Sequence, residues 1–250
     1  MTPGTRGTLL EARSVTKRFG GLVAVNDINF DIPVGAIVSL IGPNGAGKTT
    51  FFNAVSGVVR PAAGKLVFAG EDLTGRPAHV HARRGLARTF QNARVFGAMT
   101  AIDNVLFAIR FGAGHRLAGV DARSDALAQL RRVGMEGDAG RPAGTLPPAR
   151  QRLLEVAVAL GTHPRLLLLD EVAAGLTEAE VEGMAGLIRA IRDELRVAVV
   201  WIEHAVGTVM RTVDRVVVLH HGEKIADDLP GEVSRDPRVI DAYLGAEDAA

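Results

Sequence analysis

The chain has 250 residues, of which 47% are hydrophobic and 23% are charged, the composition of an ordinary globular protein. Its 29 lysine and arginine residues nearly balance 28 aspartate and glutamate residues, so the basic excess typical of a duplex-binding protein is missing. Cysteine is absent, which excludes disulfides, thiolate zinc sites and cysteine nucleophiles. The sequence has no secretory signal and no apolar run of about 18 residues, so we expect any membrane role to be peripheral.

Short apolar runs alternate with helical patterns along the chain, which predicts an α/β protein with a parallel sheet. Strand-like runs disappear between about residues 93 and 148, where helical patterns fit residues 102–109 and 124–133. We interpret residues 93–150 as a helical subdomain inserted into the α/β core, the alternative being an irregular surface excursion. The predicted strands cover residues 36–41, 66–69, 166–169, 197–202 and 216–219.

Two helices and one hairpin are marked by local signals. A helix over residues 48–55 is expected to stop at Gly57. A longer helix over residues 178–195 begins with the capping-box pattern of Thr177 and Glu180. The sequence His-Gly-Glu at 221–223 predicts a hairpin turn into residues 224–226.

The strongest chemical signal is the sequence GPNGAGKT at residues 42–49, which lies between the first of these apolar strands and a helix. Its glycines allow the backbone to wrap a polyphosphate, and the helix N-terminus favours negative charge. Lys48 adds a mobile charge for the β- and γ-phosphates, and the Thr49 hydroxyl can coordinate Mg²⁺. The residues expected to bind the nucleotide here are Gly42, Asn44, Gly45, Ala46, Gly47, Lys48, Thr49 and Thr50.

An acidic pair follows the apolar strand at residues 166–169, at the strand end where open α/β sheets bind ligands. We expect Asp170 to hold Mg²⁺ through water and Glu171 to polarise the attacking water. By itself such a pair also fits helix capping or a solvated surface. His204 follows another strand and is placed to reach the γ-phosphate, although it could simply end that strand. The other histidines lack metal-ligand spacing.

Taken in this order, these pieces resemble the nucleotide-binding subunits of ATP-binding-cassette transporters, and among them the ATPases of branched-chain amino acid importers. The resemblance covers nearly the whole chain. It rests on KRFGGLVAV (17–25), SLIGPNGAGKTT (39–50), RTFQ (88–91), LLLDE (167–171), AAGL (173–176), IEH (202–204) and AYLG (242–245).

The resemblance implies a P-loop NTPase core with an added antiparallel β part, making residues 1–250 one cassette domain that hydrolyses ATP with Mg²⁺. Phe19 matches the aromatic residue that stacks on adenine. Gln91 matches the glutamine that touches Mg²⁺ and the attacking water and links to the membrane subunit. His204 matches the histidine that contacts the γ-phosphate. The implied catalytic residues are Glu171, His204 and Gln91, and the implied metal-binding residues are Thr49, Gln91 and Asp170.

The family's signature motif, typically Leu-Ser-Gly-Gly-Gln or Leu-Ser-Tyr-Gly-Gln, faces the nucleotide of a partner subunit. Here the matching stretch, residues 146–150, reads LPPAR. Pro147 removes the serine hydroxyl, both prolines lack an N–H donor, and Ala149 adds a Cβ where glycine allows close approach. Each lost hydrogen bond to a charged group is worth about 1.5–3 kcal/mol. Arg150 could offset part of the loss, and the prolines also suit a helix start.

Smaller departures from the family pattern do not touch the subunit's own phosphate site. Thr177 stands where Asn or Asp is usual, Val172 replaces a common proline, and Ala205 follows His204 in place of an aspartate. The expected partners are membrane permease subunits, a second ATPase that makes a heterodimer with one competent site, and, indirectly, a solute-binding protein. Nucleic acid is not an expected partner, and the expected location is the cytoplasmic face of the cell membrane.

Other functions stay open at this point. The altered signature also fits a regulatory subunit with little turnover, and a soluble cassette ATPase of DNA repair or translation or another P-loop enzyme such as a kinase is a further alternative. Four arginines at positions 83, 84, 88 and 94 form a basic cluster, which we interpret as a solvated face or a membrane-subunit contact. The sequence does not name the transported solute.

Overall fold

The computed structural model describes residues 7–91, 93–112, 121–203 and 206–247. Within these ranges no helix is both long and apolar enough to cross a bilayer. The strands are β1 (Thr8–Phe19), β2 (Leu22–Pro33), β3 (Ile37–Ile41), β4 (Ala63–Phe68), β5 (Glu71–Asp72), β6 (Leu86–Arg88), β7 (Leu166–Asp170), β8 (Ala198–Ile202), β9 (Arg215–His220) and β10 (Glu223–Asp228). The helices are α1 (Lys48–Val55), α2 (Ala78–Arg83), α3 (Ala101–Phe111), α4 (Ala122–Arg132), α5 (Pro148–Gly161), α6 (Glu178–Leu195), α7 (Val206–Met210), α8 (Pro230–Val233) and α9 (Pro237–Glu247).

The central sheet has six strands in the order β10-β9-β3-β8-β7-β6, and only β10 runs antiparallel to its neighbour. Every residue of β3, β7 and β8 is buried, as expected for parallel strands covered on both faces. Asp170 at the end of β7 pairs in register with Ile202 at the end of β8. The carboxyl ends of these strands therefore share one edge of the sheet, where the phosphate loop also begins.

A second, antiparallel sheet has the strand order β2-β1-β4-β5. Its two long strands meet at a tight turn, so that Phe19 lies opposite Leu22. The sheet packs on α1 through an edge-to-face contact between Phe30 and Phe51, whose ring centroids are 5.3 Å apart. This packing brings the end of β1 to the side of the phosphate loop. Together with the central sheet and its helices, it gives the α/β fold of a P-loop NTPase core with an antiparallel β part.

Helices α3, α4 and α5 pack against one another in the middle of the chain. Helix α3 begins one residue before its predicted range and α4 begins two residues before its own, because Thr100 and Asp121 cap them with side-chain oxygens. Helix α5 runs past residue 150, the predicted end of a helical subdomain. That subdomain and the single domain over residues 1–250 stay predictions.

Several local expectations are confirmed residue by residue. Helices α1 and α6 have the predicted bounds, and Thr177 and Glu180 form both hydrogen bonds of a capping box. The two-residue hairpin turn places His221 and Gly222 at positive φ angles of 48° and 80°. Strands β1, β2, β5 and β6 were not predicted individually.

Candidate nucleotide-binding site

The phosphate loop joins β3 to α1 and depends on glycine at two positions. Gly42 has φ 148° and Gly47 has φ 97°. A Cβ on Gly42 would lie 2.1 Å from the carbonyl oxygen of Leu219, and one on Gly47 would lie 2.5 Å from that of Ala24. Any side chain at either position would therefore force the loop away from its neighbours.

Helix α1 opens toward this loop with its first N–H groups available. None of the described side chains caps its N-terminus, and its first turn holds no acidic residue. The positive end of the helix dipole and these donors form a site for an anion. The local structure thus fits the phosphate-binding role predicted from the sequence.

Lys48 places a cation inside the loop. Its side chain is buried, and Nζ donates hydrogen bonds to the carbonyl oxygens of Gly42 at 2.6 Å and Pro43 at 2.9 Å. Burial lowers the pKa of Lys48, while the charges of Glu171 and Asp170 oppose that change. The ammonium is held between the backbone that would cradle phosphates and the acidic pair at the end of β7.

One pocket of about 650 Å³ gathers most of the predicted residues. Phe19 stands at one end with 49% of its surface exposed, and the Lys17 ammonium lies 4.9 Å from its ring centroid. An exposed aromatic ring at a pocket mouth can stack on a base. The predicted residues that line the pocket are Phe19, Asn44, Gly45, Ala46, Gly47, Lys48, Thr49, Thr50, Gln91 and Glu171.

Four further pocket residues had no predicted role: Leu22, Val23, Ala24 and His221. His221 reaches the pocket because the β9–β10 turn is tied to the phosphate loop, where the Gly222 amide donates to the Ala46 carbonyl at 3.1 Å. The ring centroids of His220 and His221 are 4.0 Å apart, and the ring planes are tilted by 47°. Only the hairpin turn could be read from the sequence, since its contact with the loop is long-range.

Two of the three predicted catalytic side chains, Gln91 and Glu171, line the pocket and contact each other. The amide nitrogen Nε2 of Gln91 donates to Oε2 of Glu171 at 2.8 Å. Glu171 has a positive φ of 51°, a strained backbone for a residue with a side chain. Its amide donates to the Ile202 carbonyl at 3.0 Å, and its own carbonyl accepts from Nη1 of Arg152 at 2.7 Å.

Asp170 lies behind the pocket and is fully buried. Its Oδ2 accepts from Nη2 of Arg88 at 2.8 Å, and its amide donates to the Thr89 hydroxyl at 3.1 Å. Burial raises the pKa of Asp170, whereas the Arg88 guanidinium opposes that rise. Oδ1 of Asp170 is buried and makes no hydrogen bond to any described residue.

The basic cluster predicted at residues 83, 84, 88 and 94 is not one surface, and that interpretation was wrong for Arg88. Arg88 is buried, and its Nη1 also donates to Asn53 Oδ1 at 2.6 Å and to Ser56 Oγ at 3.1 Å. Arg84 instead forms an exposed ion pair with Glu71. Arg88 and Arg94 both lie over the Phe90 ring, with guanidinium carbons 5.0 Å and 4.2 Å from its centroid.

The signature stretch starts a helix, as its prolines predicted. Pro147 is the N-cap residue of α5 and Pro148 its first residue, and no described side chain caps this helix end. The Arg150 guanidinium is 3.0 Å from Asp138 and donates to the Gly134 carbonyl at 3.0 Å. These contacts hold the Arg150 guanidinium against its own subunit, and its role opposite a partner's nucleotide stays a prediction.

Two of the predicted residues do not line the pocket, and a third falls outside the described part of the chain. His204 is outside the described residues, as is Ala205. Gly42 and Asp170 are not among the lining residues, and the Gly42 amide donates a hydrogen bond to the hydroxyl oxygen of Tyr243 in the AYLG stretch. Among the described residues no group of three His, Asp or Glu side chains could hold a metal by itself.

Comparison with known proteins places this geometry in one family. The family model described as "ABC transporter" matches residues 25–174, and that described as "Branched-chain amino acid ATP-binding cassette transporter" matches residues 223–249. The chain is 43% identical to the high-affinity branched-chain amino acid transport ATP-binding protein BraF of Pseudomonas aeruginosa, over 95% of this chain and 98% of BraF. It is 39% identical to LivG of Escherichia coli K12, which carries the same description, with the same coverage of each chain.

Solved structures share the fold. A nucleotide-free ATP-binding cassette from an ABC transporter superposes with a TM-score of 0.85 at 24% identity, over 95% of this chain and 99% of that cassette. Because a family model spans more than half of the sequence and relatives above 30% identity match along nearly all of it, the chain belongs to the ABC transporter family of ATP-binding proteins.

Proposed function

We propose that this chain is the ATP-hydrolysing motor subunit of an importer for branched-chain amino acids. The observation that carries the proposal is the 2.8 Å contact between Gln91 and Glu171 at the end of the phosphate-loop pocket. It joins a catalytic carboxylate to the segment that links to the membrane subunit. The named relatives BraF and LivG, both branched-chain amino acid transport proteins, support this cargo class.

In the proposed mechanism each pocket residue has one task. Phe19 stacks on adenine, while the loop amides and Lys48 bind the phosphates. The Glu171 carboxylate accepts a hydrogen bond from the attacking water and orients it toward the γ-phosphate, with the Gln91 amide fixing that carboxylate. His204 is proposed to contact the γ-phosphate from the end of β8.

The chain's residues also fit a magnesium ion bound with the nucleotide. Mg²⁺ is usually held by one or two protein oxygens together with phosphate oxygens and water. Asp170 offers the buried, unpartnered Oδ1, and the exposed Thr49 hydroxyl and the Gln91 side chain lie on the pocket side. When bound, the ion neutralises phosphate charge. We propose that Thr49, Gln91 and Asp170 hold it, Asp170 through water.

The proposed assembly contains membrane permease subunits, a second ATPase and, indirectly, a solute-binding protein. The chain would lie peripherally on the cytoplasmic face of the membrane. In the heterodimer this subunit's own nucleotide faces the partner's signature motif. The partner's nucleotide faces residues 146–150, where the two prolines and Arg150 offer few donors. We therefore expect one competent site and one slow site.

Uptake by living cells tests the cargo and the motor role together. Cells lacking this gene should lose uptake of radiolabelled leucine, isoleucine and valine, and the wild-type gene should restore it. A gene carrying Lys48→Ala should not restore uptake, because nucleotide binding is weakened. A gene carrying Glu171→Gln should not restore uptake either, yet the purified variant should still bind ATP. Normal uptake with Glu171→Gln would remove Glu171 from the catalytic role, and uptake unaffected by deletion would reject the cargo.

A regulatory subunit with low turnover is the second candidate, and the altered signature favours it. Measuring transport by the assembled transporter with Glu171→Gln in this chain distinguishes a regulatory subunit from a motor. A motor loses transport with this variant, whereas a regulatory subunit leaves transport by its partner largely intact.

A further inference from the structure

Helix α5 presents two charged side chains to the segments that carry the catalytic pair. Arg152 and Glu155 are three residues apart and so lie on one face of the helix. Nη1 of Arg152 donates to the carbonyl oxygen of Glu171 at 2.7 Å. Oε1 of Glu155 accepts from the amides of Phe90 at 3.1 Å and Arg94 at 3.2 Å.

The Glu155 contacts bracket Gln91. A single oxygen atom of its carboxylate accepts hydrogen bonds from one residue before Gln91 and from one residue after it. Glu155 is only 4% exposed. Burial is costly for a carboxylate and raises the pKa of Glu155 to about 7, while the two amides and the charges of Arg152 and Arg94 oppose that rise.

The Arg152 contact acts on the other member of the pair. Glu171 has a positive φ of 51°, and such strain persists only where surrounding contacts determine the backbone. The guanidinium on its carbonyl and the Ile202 carbonyl on its amide fix the peptide planes on either side. The direction of the Glu171 side chain follows from these two anchors.

We propose that Arg152 and Glu155 are positioning residues that hold the Glu171 backbone and the Gln91 segment in register from one helix. Together they keep Gln91 Nε2 and Glu171 Oε2 within hydrogen-bond distance. The inference deepens the proposed function and rests on it for the catalytic meaning of the pair. It also gives α5 a task inside its own subunit that does not depend on the altered residues 146–150 at its start.

The test compares two substitutions of similar size at one position. Glu155→Gln keeps an oxygen at the place of Oε1 and can accept both amides. Glu155→Leu removes the acceptor. The control is Glu194→Leu, the same change at a glutamate whose side chain is 61% exposed and paired with Arg132. Hydrogen–deuterium exchange of amides 90–94 is measured on the purified chain without nucleotide, followed by ATP affinity and ATPase rate with the second ATPase subunit present.

We expect Glu155→Leu to speed exchange of these amides and to lower kcat, each by about tenfold or more, because the amides of Phe90 and Arg94 lose their buried acceptor. The KM for ATP and the ATP Kd should stay within about threefold, since Glu155 does not line the pocket. Glu155→Gln should restore most of both exchange protection and kcat, and Glu194→Leu should resemble the wild type. Arg152→Met should lower kcat in the same way.

Unchanged exchange at 90–94 in Glu155→Leu would overturn the inference, as would a loss of kcat that Glu155→Gln does not rescue. If Glu155→Leu fails to fold, Glu155→Asp decides, because its shorter side chain withdraws the acceptor while keeping the charge and should give the same exchange and kcat effects. A wild-type chain that shows no ATPase activity with its partner would reject the proposed function, while the exchange result would still decide whether Glu155 holds the segment.

Discussion

Replacing Arg88 by methionine should destabilise the protein strongly. The Arg88 and Asp170 side chains are 6% and 1% exposed, and they form an ion pair at 2.8 Å. Methionine fills similar space but leaves a buried carboxylate without its counter-ion, and it removes the donors to Asn53 and Ser56. Breaking a buried pair from one side costs about 3–5 kcal/mol. For a chain of this length each kcal/mol lowers Tm by about 2–4 °C, so we expect a fall of about 6–20 °C.

Thermal unfolding of the nucleotide-free protein, followed by circular dichroism, measures this change. Arg84→Met is the matched control, because its ion pair with Glu71 is exposed and such pairs contribute little. Combining Arg88→Met with Asp170→Asn should recover part of the loss, since the unpaired buried charge is then removed. Equal Tm values for the Arg88 and Arg84 variants would refute the buried-pair reasoning.

Three further changes give separate tests. Gly47→Ala should weaken binding of a fluorescent ATP analogue by about tenfold or more, because φ 97° and the nearby Ala24 carbonyl exclude a Cβ; unchanged affinity would contradict this. Burial raises the pKa of Glu155 from 4.5 to about 7, so between these values the folded protein keeps a proton that the unfolded chain releases. The stability that this protonated side chain contributes is complete below pH 4.5 and is lost as the pH rises through 7. Wild type should therefore lose about 3 kcal/mol relative to Glu155→Gln between pH 4.5 and 8, and parallel denaturation curves would argue against it. Thr177→Ala removes the capping box of α6 and should cost about 1 kcal/mol, or 2–4 °C in Tm; an unchanged Tm would show that the cap is dispensable.

The phosphate loop and its helix could be predicted because their signals are local. The glycine spacing, the apolar strand before it and the lysine after it lie within a few residues of one another. The same holds for the capping box at Thr177, where the interacting residues are three apart. Buried parallel strands were also predictable, since burial on both faces produces the unbroken apolar runs seen in β7 and β8.

Strands β1 and β2 were harder to predict because their apolar alternation is interrupted. Register shifts occur along their pairing, and Ser14 and Asp27 have φ values of 49° and 51°. Each irregularity changes which side chains face the core, so a period of two does not persist along either strand. Only the resemblance implied an antiparallel part.

The roles of Arg88 and Glu155 could not be predicted from local patterns. Arg88 and Asp170 are 82 residues apart in sequence, and Glu155 lies 65 residues from Phe90. From the sequence, Arg88 belonged to a basic cluster, which predicts exposure. Only the pairing of β6 with β7 brings Arg88 beside Asp170 and buries both. Glu155 likewise gains its partners only when α5 packs beside the segment that follows β6.

An ATPase assay tests most directly whether this subunit forms one competent site with a partner. The assay compares the ATPase rates of three samples. They are the chain alone, the chain mixed with the second ATPase subunit, and the chain alone carrying the four substitutions Pro147→Ser, Pro148→Tyr, Ala149→Gly and Arg150→Gln. We expect slow hydrolysis alone, because each nucleotide then faces a signature that lacks donors. Mixing with a partner that carries an intact signature should raise the rate, and the fourfold substitution should raise the rate of the chain alone. Full activity alone, unchanged by restoring the signature, would contradict the asymmetric heterodimer.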